Sequence, residues 1–240
     1  QLNQAIADTF PVFETRALSD DELALANQQM EFLTAFFDDL FARRRLNPRD
    51  DLSTALAMAN EGGNSLSPEE LSTSVIGLFG AGFETTAHMI GNGLYLLGAH
   101  PDERAKLGVD LSLASAATEE ITRFESSLQA TYRTALSDTM VGGQPVKKGE
   151  RILTIVAAAN RDAAVFKQPE AFVIDARQEK PLTFGGGIHY CVGAELARLE
   201  GRVFLEELFS TYPNFEVDTE SARLRQAFLF RGFEYLGVTL

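Results

Sequence analysis

Between Ser67 and Gly98 the chain reads "SPEELSTSVIGLFGAGFETTAHMIGNGLYLLG". Ser67 is an N-cap residue, Pro68 suits the first helical position, and Glu70 completes a capping box. The segment continues to "HPDE", and its apolar residues cover most of a helical circumference. Such a helix is predicted to cross the centre of the protein, and it is long for a globular domain. Glu84, His88 and Asn92 interrupt the apolar run, so no membrane span is predicted.

The remaining elements are predicted to be mostly helical as well. Ser19 with Glu22 forms a second capping box, and Leu33, Phe36, Phe37, Leu40 and Phe41 recur at helical spacing until "RRRLNP". Shorter helices are expected around Asp51 to Asn60, Pro101 to Leu107 and Ala114 to Phe124. The stretch "ATYRTALSDTMVGGQPVKKGERILTIV" has β-favouring runs broken by Gly-Gly and by a Lys-Gly turn, which predicts a small β region. Asn160 to Pro181 reads as irregular, Ala194 to about Thr211 as a helix, and "RQAFLFRGFEYLGVTL" as closing strands. With no repeat, low-complexity tract or linker, the expected fold is mostly α with a small β region, in one domain over 1–240.

Cys191 is the only cysteine in 240 residues, which excludes a disulfide framework and a four-cysteine metal site. It lies in "FGGGIHYCVGAELAR", just ahead of a helix N-terminus, where free backbone N–H groups and the helix dipole favour a thiolate. Gly185, Gly186, Gly187 and Gly193 remove side chains around the sulfur and let a flat, bulky ligand approach the backbone. The alternative is a glycine-rich turn with an inert buried cysteine. The 34 acidic residues against 21 basic ones give a net charge of -13, which argues against nucleic acid or an anionic membrane as partner. No signal pattern is present, and a reducing, cytoplasmic compartment is expected.

The run Phe184, Gly187, His189, Cys191, Gly193 resembles the haem-binding loop of the cytochrome P450 family, and the following "AELAR" matches too. The resemblance implies that Cys191 is the axial thiolate ligand of the iron of haem b, favouring O–O cleavage. "AGFETT", Ala81 to Thr86, resembles the family's central-helix signature, with Glu84 and Thr85 as the acid and threonine over the distal face. An acid and a hydroxyl within an apolar helix cost a few kcal/mol, of order 1–3, if left without partners. "EEITR" resembles the family's Glu-x-x-Arg helix, which places Glu120 and Arg123 on one helical face. The resemblance adds Arg177 as the third member of that buried structural network, and gives Arg133 and His189 the contacts to haem propionates.

These matches occur in family order from about Ser67 to the C-terminus, with weaker similarity back to residue 20. They imply the C-terminal portion of a haem-thiolate monooxygenase, with the N-terminal part of the fold absent; the chain begins at Gln1 without an initiator Met. The implied reaction inserts one oxygen atom into an organic substrate, with electrons from a ferredoxin or flavoprotein reductase. Implied substrate contacts are Phe79, Gly80, Leu128, Gln129, Ala130, Thr131, Phe228, Leu229 and Phe230, whose phenylalanines point to an apolar substrate or equally to core packing. The absence of that N-terminal part and a second departure bear on haem affinity and pocket shape. "RFESSLQ" lacks the family's proline, and "EKPLTFGGGIHYC" lacks the usual histidine before the loop and proline within it. The competing readings are a peroxide-using peroxygenase, which the Glu84 and Thr85 pair disfavours, and a catalytically silent haem-binding or interaction protein.

Overall fold

In the computed structural model, which describes residues 1–59, 63, 65–176 and 179–240, the expected capping boxes form and set where the long helices begin. Helix α1 spans Leu2–Ala7 and α2 spans Asp20–Leu46. The Ser19 hydroxyl accepts the Glu22 N–H (3.2 Å), and the Glu22 carboxylate accepts the Ser19 N–H (2.8 Å). Asp20, Asp21 and Glu22 fill the first turn of α2 and Arg43, Arg44 and Arg45 its last, each sign at the end the helix dipole favours. Asp51 caps α3 (Leu52–Met58) and pairs with Arg44 at 2.8 Å. At the start of α4 (Pro68–Ala99), Ser67 and Glu70 exchange bonds of 3.1 and 2.8 Å.

The chain divides into two compact units, Gln1–Glu84 and Thr85–Leu240, and the boundary falls within α4. The first unit buries Leu33, Phe37 and Phe41 of α2 together with Leu71 and Ile76 of α4. Ser72 donates to Asp38 at 2.5 Å.

The second unit holds the rest of α4, α5 (Pro101–Val109), α6 (Ala114–Phe124), α7 (Val156–Ala159) and α8 (Ala194–Thr211). Its core joins Met89, Leu96 and Leu97 to Leu107, Ala117 and Ile121, and to Leu205, Leu208, Phe209 and Phe215. Strand β1 (Ala130–Thr134) pairs antiparallel with β4 (Arg151–Ile155). Between them β2 (Thr139–Val141) and β3 (Gln144–Val146) form a hairpin whose two turn glycines, Gly142 and Gly143, have φ of +55° and +79°. The closing stretch is a strand only in part: β6 (Phe233–Thr239) lies within it, but its antiparallel partner β5 (Glu216–Leu224) lies ahead of it. Residues 225–232 form the connection instead.

The contact between α6 and α8 fixes the helix behind the cysteine loop, and it depends on Gly201. A Cβ there would lie 2.5 Å from Thr118 Cγ2 and 3.1 Å from Met89 Cε. Replacing glycine in a helix gains about 1 kcal/mol of intrinsic propensity, whereas overpacking costs about 1–3 kcal/mol. Gly201→Ala is therefore expected to lower stability by about 1 kcal/mol net. Thr118→Ser removes Cγ2 but keeps the hydroxyl that donates to the Ala114 carbonyl at 2.8 Å. Adding it should restore most of the loss in denaturant titrations, and a double variant no better than Gly201→Ala would contradict this packing.

Candidate functional site

Short 3-10 turns at Leu182–Phe184 and Gly187–His189 carry the chain into the cysteine. The Cys191 N–H donates to the Phe184 carbonyl at 2.9 Å, closing a loop in which Gly185 and Gly187 have φ of +70° and +62°. Side chains other than glycine are strained in that region. The thiol itself is exposed, so the buried, inert cysteine that the sequence left open is not what folds. Two large apolar neighbours, Ile188 and Val192, are 98% and 85% exposed. His189 and Arg133 are also exposed, the latter donating to the Tyr132 carbonyl at 2.8 Å.

Arg198, one turn into α8, meets this loop. Its guanidinium donates to the Tyr190 hydroxyl at 2.8 Å and stacks on the Phe184 ring at 4.5 Å. It also pairs with Glu195 at 2.8 Å and, through Nε, with Glu119 of α6. Burial alone opposes the charge of Arg198, but the hydrogen bonds it donates to Glu119 and Tyr190, with the attraction of those groups, outweigh it and raise the guanidinium above its ordinary pKa.

Behind the loop, Arg123 and Glu120 of α6 are 1% and 5% exposed and form a two-pronged ion pair, both bonds 2.8 Å. Arg123 spends its remaining donors on the carbonyls of Asn160 (3.0 Å), Pro169 (3.0 Å) and Ala171 (2.8 Å), and Glu120 accepts the Val173 N–H at 2.9 Å. The irregular segment after α7 is thus held by one buried cation and one buried anion. Arg177, expected to join them, lies outside the described residues. Sequence reading missed Asn160, which is fully buried and donates to Ser126 and Thr183, both at 2.9 Å. Its Oδ1 accepts the Leu182 N–H at 2.6 Å, so it sets the approach to the cysteine loop.

Glu84 is buried and Thr85 half-buried, consecutive residues of α4. Phe79 stacks among Phe37 and Phe83, at 6.2 and 6.3 Å between ring centroids, and a Cβ on Gly80 would lie 3.1 Å from Ile6. The structure brings the other two predicted substrate segments together. Leu128 bridges Phe230, and the Gln129 N–H donates to the Leu229 carbonyl at 2.8 Å. Ala130 and Leu229 are buried within that contact, Leu128, Gln129, Thr131 and Phe230 are half-buried, and Phe228 is exposed. Asn92, on α4, anchors the same place by donating to the carbonyls of Glu125 and Arg231, both at 3.1 Å.

The fold and this loop define a class: the family model for cytochrome P450 matches residues 4–229, and the chain belongs to the cytochrome P450 family. It is 38% identical to vitamin D(3) 25-hydroxylase of Pseudonocardia autotrophica over 97% of this chain and 59% of that protein. It is also 38% identical to 6-deoxyerythronolide B hydroxylase of Saccharopolyspora erythraea, over 85% of this chain and 52% of that one. The crystal structure of P450BioI, in complex with an acyl carrier protein ligated to hexadec-9Z-enoic acid, superposes with a TM-score of 0.93. That match is 33% identical and covers 100% of this chain and 61% of the other. The chain therefore spans little more than half the length of these relatives. No helix among the described residues is long and apolar enough to cross a membrane.

The family implies a haem, and the residues present fit one. An exposed thiol supplies the ligand atom, and the two positive-φ glycines leave the backbone beside it without side chains. Ile188 and Val192 offer apolar surface for a flat macrocycle to cover. Arg133 and His189 are the donor types that an anionic edge requires.

Proposed function

We propose that the chain is the haem-binding part of a monooxygenase that inserts one atom of O2 into an apolar organic substrate, the other leaving as water. The reaction balances as RH + O2 + two electrons + two protons giving ROH + H2O, with electrons from a ferredoxin or flavoprotein reductase. The observation that carries this reading is the exposed, sole thiol in its glycine loop. It is supported by the relatives named as hydroxylases.

Bound at Cys191, the haem would supply the redox chemistry that splits dioxygen. The protein's own part is positioning and proton handling. Cys191 Sγ would ligate the iron, Phe184, Gly187 and Gly193 would shape the loop against the ring, and Arg133 and His189 would hold the propionates. The Glu84 carboxyl and Thr85 hydroxyl would hold water and pass protons where oxygen is reduced, which determines whether electrons end in product or in peroxide. Leu128 to Thr131 and Phe228 to Phe230 would present an apolar wall to the substrate. The names of the two hydroxylases, for vitamin D(3) and for 6-deoxyerythronolide B, support a bulky, largely apolar substrate.

Thr85→Ala tests the reading, because it removes one hydroxyl and little volume. Haem loading and reductant consumption should persist, while product per reductant falls by about a hundredfold, the lower end of what positioned proton transfer contributes. Hydrogen peroxide should rise to balance the electrons. Unchanged product per electron would refute the role of Thr85, and a haem-loaded wild-type chain that never turns over with a surrogate redox pair would refute the monooxygenase reading.

A further inference from the structure

The loop that presents Cys191 has little of its own to keep it in one shape. Three consecutive glycines, Gly185 to Gly187, have the largest conformational freedom to lose. Ile188 and Val192 point outward and add almost no packing. The backbone bonds within it are Tyr190 N–H to Gly187 at 3.1 Å and Cys191 N–H to Phe184 at 2.9 Å. The approach at Leu182 and Thr183 is held by Asn160 and by the Thr122 carbonyl of α6. Beyond it, among the described residues, the side-chain hydrogen bonds and ring contacts between 184–191 and the helices converge on one group, the Arg198 guanidinium. It touches Phe184, whose carbonyl receives the Cys191 N–H, and Tyr190, which precedes the cysteine. Its other side is fixed to Glu119 on α6, next to the buried Glu120.

We propose that Arg198 is a positioning residue for the Cys191 thiolate, clamping both ends of the glycine loop onto α6 and α8 so that Sγ is presented in one orientation. This rests on the reading of Cys191 as the haem ligand. The planar fork suits the task, because one cation must stack on a ring while donating in three directions. A lysine ammonium offers the charge without that geometry. Arg198→Lys is therefore expected to behave like Arg198→Met at the loop, and a full rescue by lysine would show that charge alone suffices and overturn the clamp.

The test uses two readouts on the whole chain. Hydrogen exchange of Tyr190 and Cys191 should be faster by about tenfold or more in Arg198→Met, the effect of losing a charge-assisted hydrogen bond, while the amides of α8 beyond residue 199 keep their protection. In the haem-loaded, reduced carbon monoxide complex, the unshifted share of the Soret band should rise relative to the red-shifted share by a similar factor of about ten. Tyr190→Phe keeps the ring and loses only the hydroxyl, so it should show both changes in smaller measure, and it decides the matter if Arg198→Met does not fold. A lower melting temperature with loop exchange and band ratio both unchanged would make Arg198 a helix-packing residue and overturn the proposal. A wild-type complex that is itself unshifted would overturn the ligand reading of Cys191 instead, and the exchange rates would then decide the clamp.

Discussion

Arg123→Ala is expected to yield little soluble protein, and any that folds should be destabilised by about 3–5 kcal/mol, the cost of breaking a buried ion pair. The reason lies in how many groups depend on one side chain. Arg123 supplies both 2.8 Å bonds to the Glu120 carboxylate and the donors to three backbone carbonyls, at Asn160, Pro169 and Ala171. Its removal withdraws hydrogen bonds from a buried anion and from carbonyls that lead into the site, and such groups cost about 1–3 kcal/mol each when left without partners. Against a net domain stability of about 5–15 kcal/mol, that is a large fraction. Arg123→Lys should fail almost as badly, because an ammonium cannot make the two-pronged pair. Denaturant titration of the purified variant decides the point: a midpoint near that of the wild type would reduce Glu120 and Arg123 to an ordinary surface-type bridge.

Cys191→Ser should have the opposite profile, with folding retained and activity abolished. The thiol is exposed and its substitution removes no core packing, so stability should stay within about 0.5 kcal/mol. On the proposed ligation, the iron's ligand would change from a soft, electron-rich thiolate to a weak oxygen donor, and the axial ligand is a principal control on what a haem does. Product formation by the haem-loaded protein should fall below detection. Turnover persisting in this variant would exclude Cys191 from the chemistry, and loss of folding would show that the loop needs the sulfur for packing.

The helices were legible from periodicity, and their starts where a capping box is present. Ala114–Phe124 and Ala194–Thr211 are found where they were expected, and the Ser19 and Ser67 boxes open α2 and α4 as predicted. Of the two C-terminal strands, β6 (Phe233–Thr239) lies within the expected stretch, whereas β5 was missed for a physical reason. "EVDTESARL" is exposed along most of its length, and its inward residues are Val217, Thr219 and Ala222, so it lacks the apolar alternation that marks a strand. "RQAFLFRG" looked like a strand but is a connection held by other means, the Asn92 amide, the Leu128 bridge and the Arg231 pairing with Glu125.

The candidate site was legible to the extent that its spacing is local. The cysteine loop and the Glu-x-x-Arg pair each fit within one short segment, whereas Arg198 and Asn160 act on partners far away in sequence. Arg198 reaches Glu119 across 79 positions and Asn160 reaches Ser126 across 34, distances at which a single sequence carries no signal. Exposure was equally illegible: a lone cysteine beside glycines reads the same whether it is packed or presented.

Whether Cys191 ligates the haem as a thiolate is decided by the absorption spectrum of the reduced, haem-loaded chain under carbon monoxide, recorded beside Cys191→Ala. The wild type should show the strongly red-shifted Soret band of thiolate ligation, and the variant should lose it. An unshifted band in a folded, haem-loaded wild type, or a red-shifted band that survives in Cys191→Ala, would contradict ligation by Cys191.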